Sequence, residues 1–342
     1  MILVTGATGY IGRRLIRLLC AEYPASQIVC LVRPQTDSDK ERSGRGILQE
    51  LKVGIVQGDL LNISSLKGLP QSPKLLFHLA SCTDTSVKDH SVNDVGTRNL
   101  LQAVGPMSRT AHMVFTSSIA VNDGRADCSR PMVENDRVVL KPRHVYGRRK
   151  LLAEEFLMEQ AAKQSFSLSV IRVCGVYGYD AIEKGLYMSL RRLVLNNSWL
   201  ARLDWPGRIS SMYVEDVSWF IHRVSQCPPP SGRHELYIPS AEALTVGQMC
   251  ASYATALGQD YQTLKVPALV WQMMGWILRR HHVWEKILPH KFYNMIWQAN
   301  ILVSQGYWNE SVKLEQLAGD RNLTRFEEFC RMDDGKLQPR SC

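Results

Sequence analysis

Through the first half of the chain, short apolar runs alternate with longer stretches of helical period, the pattern of repeated βαβ units around a parallel sheet. "MILVTG" at 1–6 reads as a buried strand and "RRLIRLLCAEY" at 13–23 as an amphipathic helix. Further strands are predicted at "QIVCLV" (27–32), "VGIVQG" (53–58), "LLFHLA" (75–80), "HMVFTSS" (112–118) and "LSVIRVC" (168–174). A helix fits "VNDVGTRNLLQAV" between the fourth and fifth strands, and another, opening near Tyr146, precedes the sixth. The polar tract "RPQTDSDKERSGRG" after the second strand reads as a mobile loop by composition. Beyond residue 175 the regularity fades, and "PPPSG" at 228–232 separates a helix from the short strand "HELYI". The prediction is an α/β fold: a doubly wound parallel sheet over 1–175 and a smaller, mostly helical lobe over 176–342, of which 208–240 returns to the core sheet.

Composition changes this picture little. A chain of 342 residues can bury a sizeable core, and its net charge of +9 is spread along its length. That argues against a dedicated nucleic-acid binder but suits an anionic cofactor or an acidic membrane surface. The nine cysteines are odd in number and form no CxxC, so neither disulfides nor a metal site is expected and a cytoplasmic location is the default. The opening "MILVTGATG" has no basic region or cleavage site of a secretory signal. No uncharged apolar run reaches the ~18 residues of a spanning helix. The nearest, "VPALVWQMMGWIL" at 266–278, carries Pro267, Gln272 and Gly275.

Two constellations suggest chemistry. "TGATGYIG" at 5–12 sets Gly6, Gly9 and Gly12 between the first strand and the first helix, where backbone can approach a pyrophosphate at a helix N-terminus. This is the turn of a Rossmann-type fold, with Thr8, Tyr10 and Ile11 completing the cradle. At the end of the second strand stands Arg33, with no acidic residue until Asp37. A guanidinium there accommodates a 2′-phosphate, so NADP(H) is preferred, with NAD(H) the alternative. Arg13 and Arg14 either share that phosphate or face water. The second constellation is Tyr146 and Lys150, four apart and hence on one helix face, where an ammonium can tune a phenol. The spacing also arises by chance, and here it lies in the basic run Arg148, Arg149, Lys150.

In order along the chain, "TGATGYIG", "GDL" (58–60), "FHLAS" (77–81), "NDVGTRNLL" (93–101), "FTSSIAV" (115–121), "YGRRK" (146–150), "IRVCGVYG" (171–178) and "SMYVEDV" (211–217) resemble the extended short-chain dehydrogenase/reductase family, of NAD-dependent epimerase/dehydratase type. The resemblance runs on through "YWNESVKLEQLAG" (307–319). It implies that Asp59 and Leu60 bracket the adenine and that Leu79, Ala80 and Ser81 run along the cofactor. Asn93 orders the site, and Ser118 holds the substrate oxygen, with Thr116 and Ser117 as neighbours. Tyr146 is the acid/base, and Lys150 holds the nicotinamide ribose and lowers the phenol's pKa. Thr116 and Val173 join the cofactor's lining. Three positions depart from the pattern: Ser81 stands for an alanine, Val173 for a proline, and Asn122-Asp123 for a tyrosine and a glycine.

The reaction is narrowed by elimination. Ser118 is followed by Ile119 and Ala120, not by the Asp-Glu pair of sugar dehydratases, and no "RPGD"-like diphosphate element occurs late in the chain. The region 264–298 instead holds Trp271, Trp276, Trp284 and Trp297 with Met273, Met274 and Met295. These read as the wall of an apolar substrate cavity, equally as plain core, or, beside Arg279, Arg280, His281, His282, Lys286 and Lys291, as a peripheral membrane contact through 266–298. The leading expectation is an NADPH-dependent reductase of a lipophilic small-molecule carbonyl, or the reverse alcohol dehydrogenase. A nucleotide-sugar epimerase with tightly held NAD and a non-catalytic NADPH-binding regulator are the alternatives. The family resemblance suggests a homodimer.

Overall fold

The computed structural model describes all residues except 35–38, 124, 126–127, 137–139, 180–184, 281–282, 284, 286, 304–306 and 334–342. The chain runs β1 (Ile2–Thr5), α1 (Gly12–Glu22), β2 (Ile28–Val32), α2 (Asp39–Glu50), β3 (Gly54–Gln57), β4 (Leu75–His78), α3 (Val95–Ala103), β5 (His112–Ser118), α4 (Val145–Gln164) and β6 (Ser167–Val173). It continues through β7 (Gly175–Tyr177), α5 (Leu186–Leu195), β8 (Arg208–Tyr213), α6 (Val214–Ser225), β9 (His234–Tyr237), β10 (Glu242–Thr245) and α7 (Val246–Ala256). It ends with α8 (Ala268–Leu278), α9 (His290–Val303), α10 (Val312–Ala318) and α11 (Phe326–Asp333).

Seven strands form a parallel sheet in the order β3-β2-β1-β4-β5-β6-β9. Alternation along a strand sends successive side chains to opposite faces. Accordingly Ile2 and Val4 join the core under α1 and α6, while Leu3 joins the core under α3 and α4. The strand order reverses between β1 and β4, so the crevice at their carboxyl ends is where such a sheet takes its ligand. Of the segment 208–240, β9 extends this sheet and α6 packs beside α1, while β8 lies in a second, three-stranded sheet of order β10-β8-β7. Tyr177, Tyr187, Met249, Tyr253, Phe326 and Phe329 form that lobe's core.

One element departs from expectation. The tract 33–46, expected as a loop, contains the start of α2. Gly44 explains why a glycine-bearing polar segment is helical here. A Cβ at that position would stand 2.5 Å from the Thr8 carbonyl oxygen, so the helix lies directly on the glycine turn, with Leu48 buried beneath it.

Candidate active site

The glycine turn, the ends of β2, β4, β5 and β6, the start of α4 and the first residues of α5 enclose a cleft of about 530 Å³. Gly6 has a left-handed φ of 73°, and a Cβ on it would stand 2.6 Å from the Ala80 nitrogen. A Cβ on Gly12 would meet the Gly6 carbonyl oxygen at 2.1 Å. The turn is therefore a bare backbone cradle at the N-terminus of α1. No side chain caps that helix and no acidic residue occupies its first turn. Such an end favours phosphate, so the residues present fit a dinucleotide. Gly6, Thr8, Gly9, Tyr10, Ile11, Gly12, Leu79, Ser81, Thr116 and Val173 all line the cleft, as do Ser118, Tyr146, Lys150 and Arg13. Arg14 instead turns to Glu215, at 2.7 Å.

Arg33 also lines the cleft, and its side chain is two-thirds exposed. It pairs with Glu41 of α2 at 2.8 Å, a cleft residue the sequence reading missed. Asp37, the acidic position noted in the sequence, lies outside the described residues. Four expected cofactor or site residues do not line the cleft. Asp59 accepts from the Leu61 N–H, Leu60 is buried in the core, and the Ala80 N–H donates to the Thr5 hydroxyl. Asn93 works behind the wall: its Oδ1 accepts from the Ser81 hydroxyl and the Cys82 N–H, both at 2.9 Å, and its Nδ2 donates to the Cys82 carbonyl.

Tyr146 sits in the first turn of α4, buried. The Ser118 and Ser81 side chains favour its charged form, and Ser81, which departs from the family's alanine, is itself held by Asn93. A Cβ on the next residue, Gly147, would lie 2.4 Å from the Ala120 carbonyl oxygen, so only glycine brings this helix start against the turn that carries Ser118. The Lys150 ammonium donates to the Thr116 carbonyl at 2.8 Å and stands 4.9 Å from the Phe115 ring centre. Burial drives its pKa down to about 7, against the pull of Glu154. Glu154, one turn on, accepts from Arg172 Nε and Nη2 at 3.0 and 2.6 Å, all of it buried. The expected lowering of the Tyr146 pKa is not found in the chain by itself. Burial dominates and pushes the phenol up, the two serines only opposing it, while the lysine's proton is directed at a backbone carbonyl.

The departures at 122 and 123 have a structural role. Asp123 Oδ2 accepts from the Arg143 and His144 backbone N–H groups at 3.2 and 3.0 Å and from the Trp297 indole at 3.3 Å. The His144 imidazole caps α4 by accepting from the Tyr146 N–H, and its ring stacks 4.2 Å from Trp297. Asn122 donates to Asn309 at 3.1 Å. The lobe thus fixes the beginning of the helix that carries Tyr146. The region 264–298, read as a cavity wall, as plain core or as a membrane contact, supplies none of the described cleft residues. The inner wall comes instead from Thr83, Cys174, Val176, Leu186, Tyr187 and Met188, which the sequence reading did not single out. Trp284, His281, His282 and Lys286 lie outside the described residues. Among the described residues there is no metal-binding cluster and the cysteines are free.

Residues 2–230 match the NAD dependent epimerase/dehydratase family. The chain belongs to that family. It is an oxidoreductase-type enzyme of the extended short-chain class, and the family binds NAD(P). It is 24% identical over 300 residues to a 3 beta-hydroxysteroid dehydrogenase/Delta 5-->4-isomerase of Mycobacterium tuberculosis, covering 80% of this chain and 75% of that one. It is 26% identical over 234 residues to the dTDP-D-glucose 4,6-dehydratase of Dictyostelium discoideum, covering 63% of this chain and 53% of that one. In fold it is similar to a UDP-glucuronic acid 4-epimerase of Bacillus cereus solved with NAD, at a TM-score of 0.71 and 16% identity over 98% of each chain.

Proposed function

We propose that this family member is an NADPH-dependent oxidoreductase of the cytoplasm that reduces a ketone or aldehyde of a hydrophobic small molecule, or oxidises the alcohol. The observation carrying this reading is the character of the cleft beyond Tyr146. Its lining there is Thr83, Cys174, Val176, Leu186, Tyr187 and Met188, mostly apolar and without a charge, with Val173 beside them. Besides Lys150, the charged side chains among the described lining are Arg13, Arg33 and Glu41, all on the glycine-turn side. A nucleotide sugar would need cations for its diphosphate at the inner end, whereas a lipophilic carbonyl needs only apolar walls and a polar anchor at one oxygen. The absence of an Asp-Glu pair after Ser118 argues against the dehydratase chemistry of the Dictyostelium relative.

The bound nicotinamide supplies or takes the hydride. Tyr146 gives a proton to the carbonyl oxygen during reduction, and its burial keeps the phenol protonated at neutral pH, which suits a donor. Ser118, which lines the cleft with that phenol, holds the same oxygen and stabilises the developing alkoxide. Lys150 presents an ammonium to the nicotinamide ribose from its anchor on Thr116. Arg33 takes the 2′-phosphate, exchanging Glu41 for it.

The test is NADPH oxidation with a panel of lipophilic ketones and aldehydes. Tyr146→Phe should lower turnover by about 10²–10⁴-fold and leave NADPH affinity within a factor of about two. Unchanged turnover in that variant would remove Tyr146 from the mechanism. Denaturing freshly purified protein and finding stoichiometric NAD would favour the epimerase reading, to which the fold likeness lends support.

A further inference from the structure

The helices α8 and α9 pack together, and α8 turns few residues inward. Trp271 and Gly275 of α8 are buried, with the Trp271 indole donating to Asp204 at 3.0 Å, and α9 buries Tyr293, Asn294, Trp297, Asn300 and Val303. The outward face of α8 carries Leu269 (67% exposed), Met273 (58%), Trp276 (59%) and Ile277, at i, i+4, i+7 and i+8, with Val270 beside them. Val283 and Ile287 of the connection and Phe292 and Met295 of α9 are exposed apolar residues as well. A surface helix normally shows polar residues to water. Here both sides of α8 are apolar, and a contiguous apolar patch marks an interaction face.

The charges around the patch select its occupant. Lys265, Arg279, Arg280 and Lys291 are exposed on its margin. Between residues 261 and 300 the sequence has one acidic residue, Glu285, and it is engaged by Arg148 at 2.6 Å. The Arg280 guanidinium stands 3.7 Å from the Trp276 ring centre, so aromatic and cation act together at the rim. An isologous contact with a second copy would bring this cationic margin against itself. We infer that α8 and α9 form the face by which the protein docks on an anionic lipid bilayer, apolar stripe in the headgroup boundary and cations on lipid phosphates. No helix among the described residues is long and apolar enough to cross a membrane, so the contact is in-plane. His290, at the start of α9, meets the Thr85 carbonyl at 3.1 Å, close to the cleft residue Thr83. The start of α9 is thus tied to the loop that carries a cleft residue, and on the functional reading above the bilayer is where a lipophilic substrate would dissolve.

The experiment is co-sedimentation of the full chain with vesicles of phosphatidylcholine alone and of roughly two parts phosphatidylcholine to one part phosphatidylserine. Binding should be at least about tenfold tighter to the anionic vesicles, weaken with salt, and shift tryptophan emission to the blue. The double substitution Met273→Glu/Trp276→Glu, on exposed positions, should remove about tenfold or more of that affinity with an unchanged thermal melt. Arg279→Glu/Arg280→Glu should remove the preference for anionic lipid, each lost cation being worth a factor of about five. Equal binding to both vesicles, binding to neither, or a dimer by light scattering that Met273→Glu/Trp276→Glu converts to monomer would each overturn the proposal. Tyr146→Phe should sediment like the parent protein, so loss of turnover and loss of docking are read separately.

Discussion

Replacing Glu154 by glutamine keeps a hydrogen-bond acceptor for Arg172 while removing the negative charge one helical turn beyond Lys150. Side chains four apart on a helix lie about 5–6 Å from one another, and at an effective dielectric near 20 the lost attraction is about 3 kcal/mol, or about two pKa units. Lys150, held at about 7 in the parent chain, should then titrate about two units lower, and the uncompensated Arg172 pushes the same way. The assay is the pH dependence of kcat/KM for NADPH-dependent reduction. The limb on which activity falls as the ammonium loses its proton should move down by about two units, with activity recovered toward the parent's at the acid end. A bound nucleotide raises the limb in both proteins, so the difference between them is the quantity to read. Leaving Arg172 without its buried carboxylate should also cost about 1–3 kcal/mol of stability. A uniform, pH-independent loss of activity would refute the reasoning and reduce Glu154 to a packing residue.

Lys150→Met tests the burial directly. The ammonium's pKa in the fold is about 7 against an ordinary 10.5, so between these values the unfolded chain holds a proton that the folded chain lacks. The parent's stability should therefore gain up to about 1.4 kcal/mol per pH unit across that window relative to the variant, with the full cost of the buried charge present below it. Parallel stability curves from pH 7 upward would contradict this. Arg33→Ala should raise the Kd for NADPH about tenfold or more and that for NADH little, measured by titration; equal losses would remove the 2′-phosphate argument. Gly12→Ala forces a methyl to 2.1 Å from the Gly6 carbonyl oxygen and should abolish nucleotide binding, checked by dye-free thermal shift with and without NADPH.

What the sequence made legible was whatever repeats locally. Short apolar runs and period-3.6 patterns located β1, α1, β5, β6 and the start of α4, because those strands are buried on both faces and a helix of that kind on one. Gly6, Gly9 and Gly12 pointed to the cradle because they lie between a strand and a helix, where backbone can approach a phosphate. The pattern failed where an element is held by another part of the chain. Helix α2 offers few apolar residues and depends on Gly44 meeting Thr8, a contact no local pattern records. Leu186, Tyr187 and Met188 reach the cleft because α5 returns from the lobe, and a leucine or methionine there looks like any core residue. The tryptophans at 271 and 297 turned out to brace the structure, while Trp276 faces out, and the sequence alone could not divide them.

Hydrogen bonds on Asp123 also tie the seat of the acid to a distant part of the chain. Two anchor the backbone just before Tyr146, and another comes from Trp297, 174 residues further on. A fragment ending after β6 would contain every residue of the proton-transfer group and yet lack the bracket that seats its helix. Competence for proton transfer thus depends on the lobe as well as the sheet, and removing the lobe to obtain a minimal catalyst would discard part of the acid's foundation.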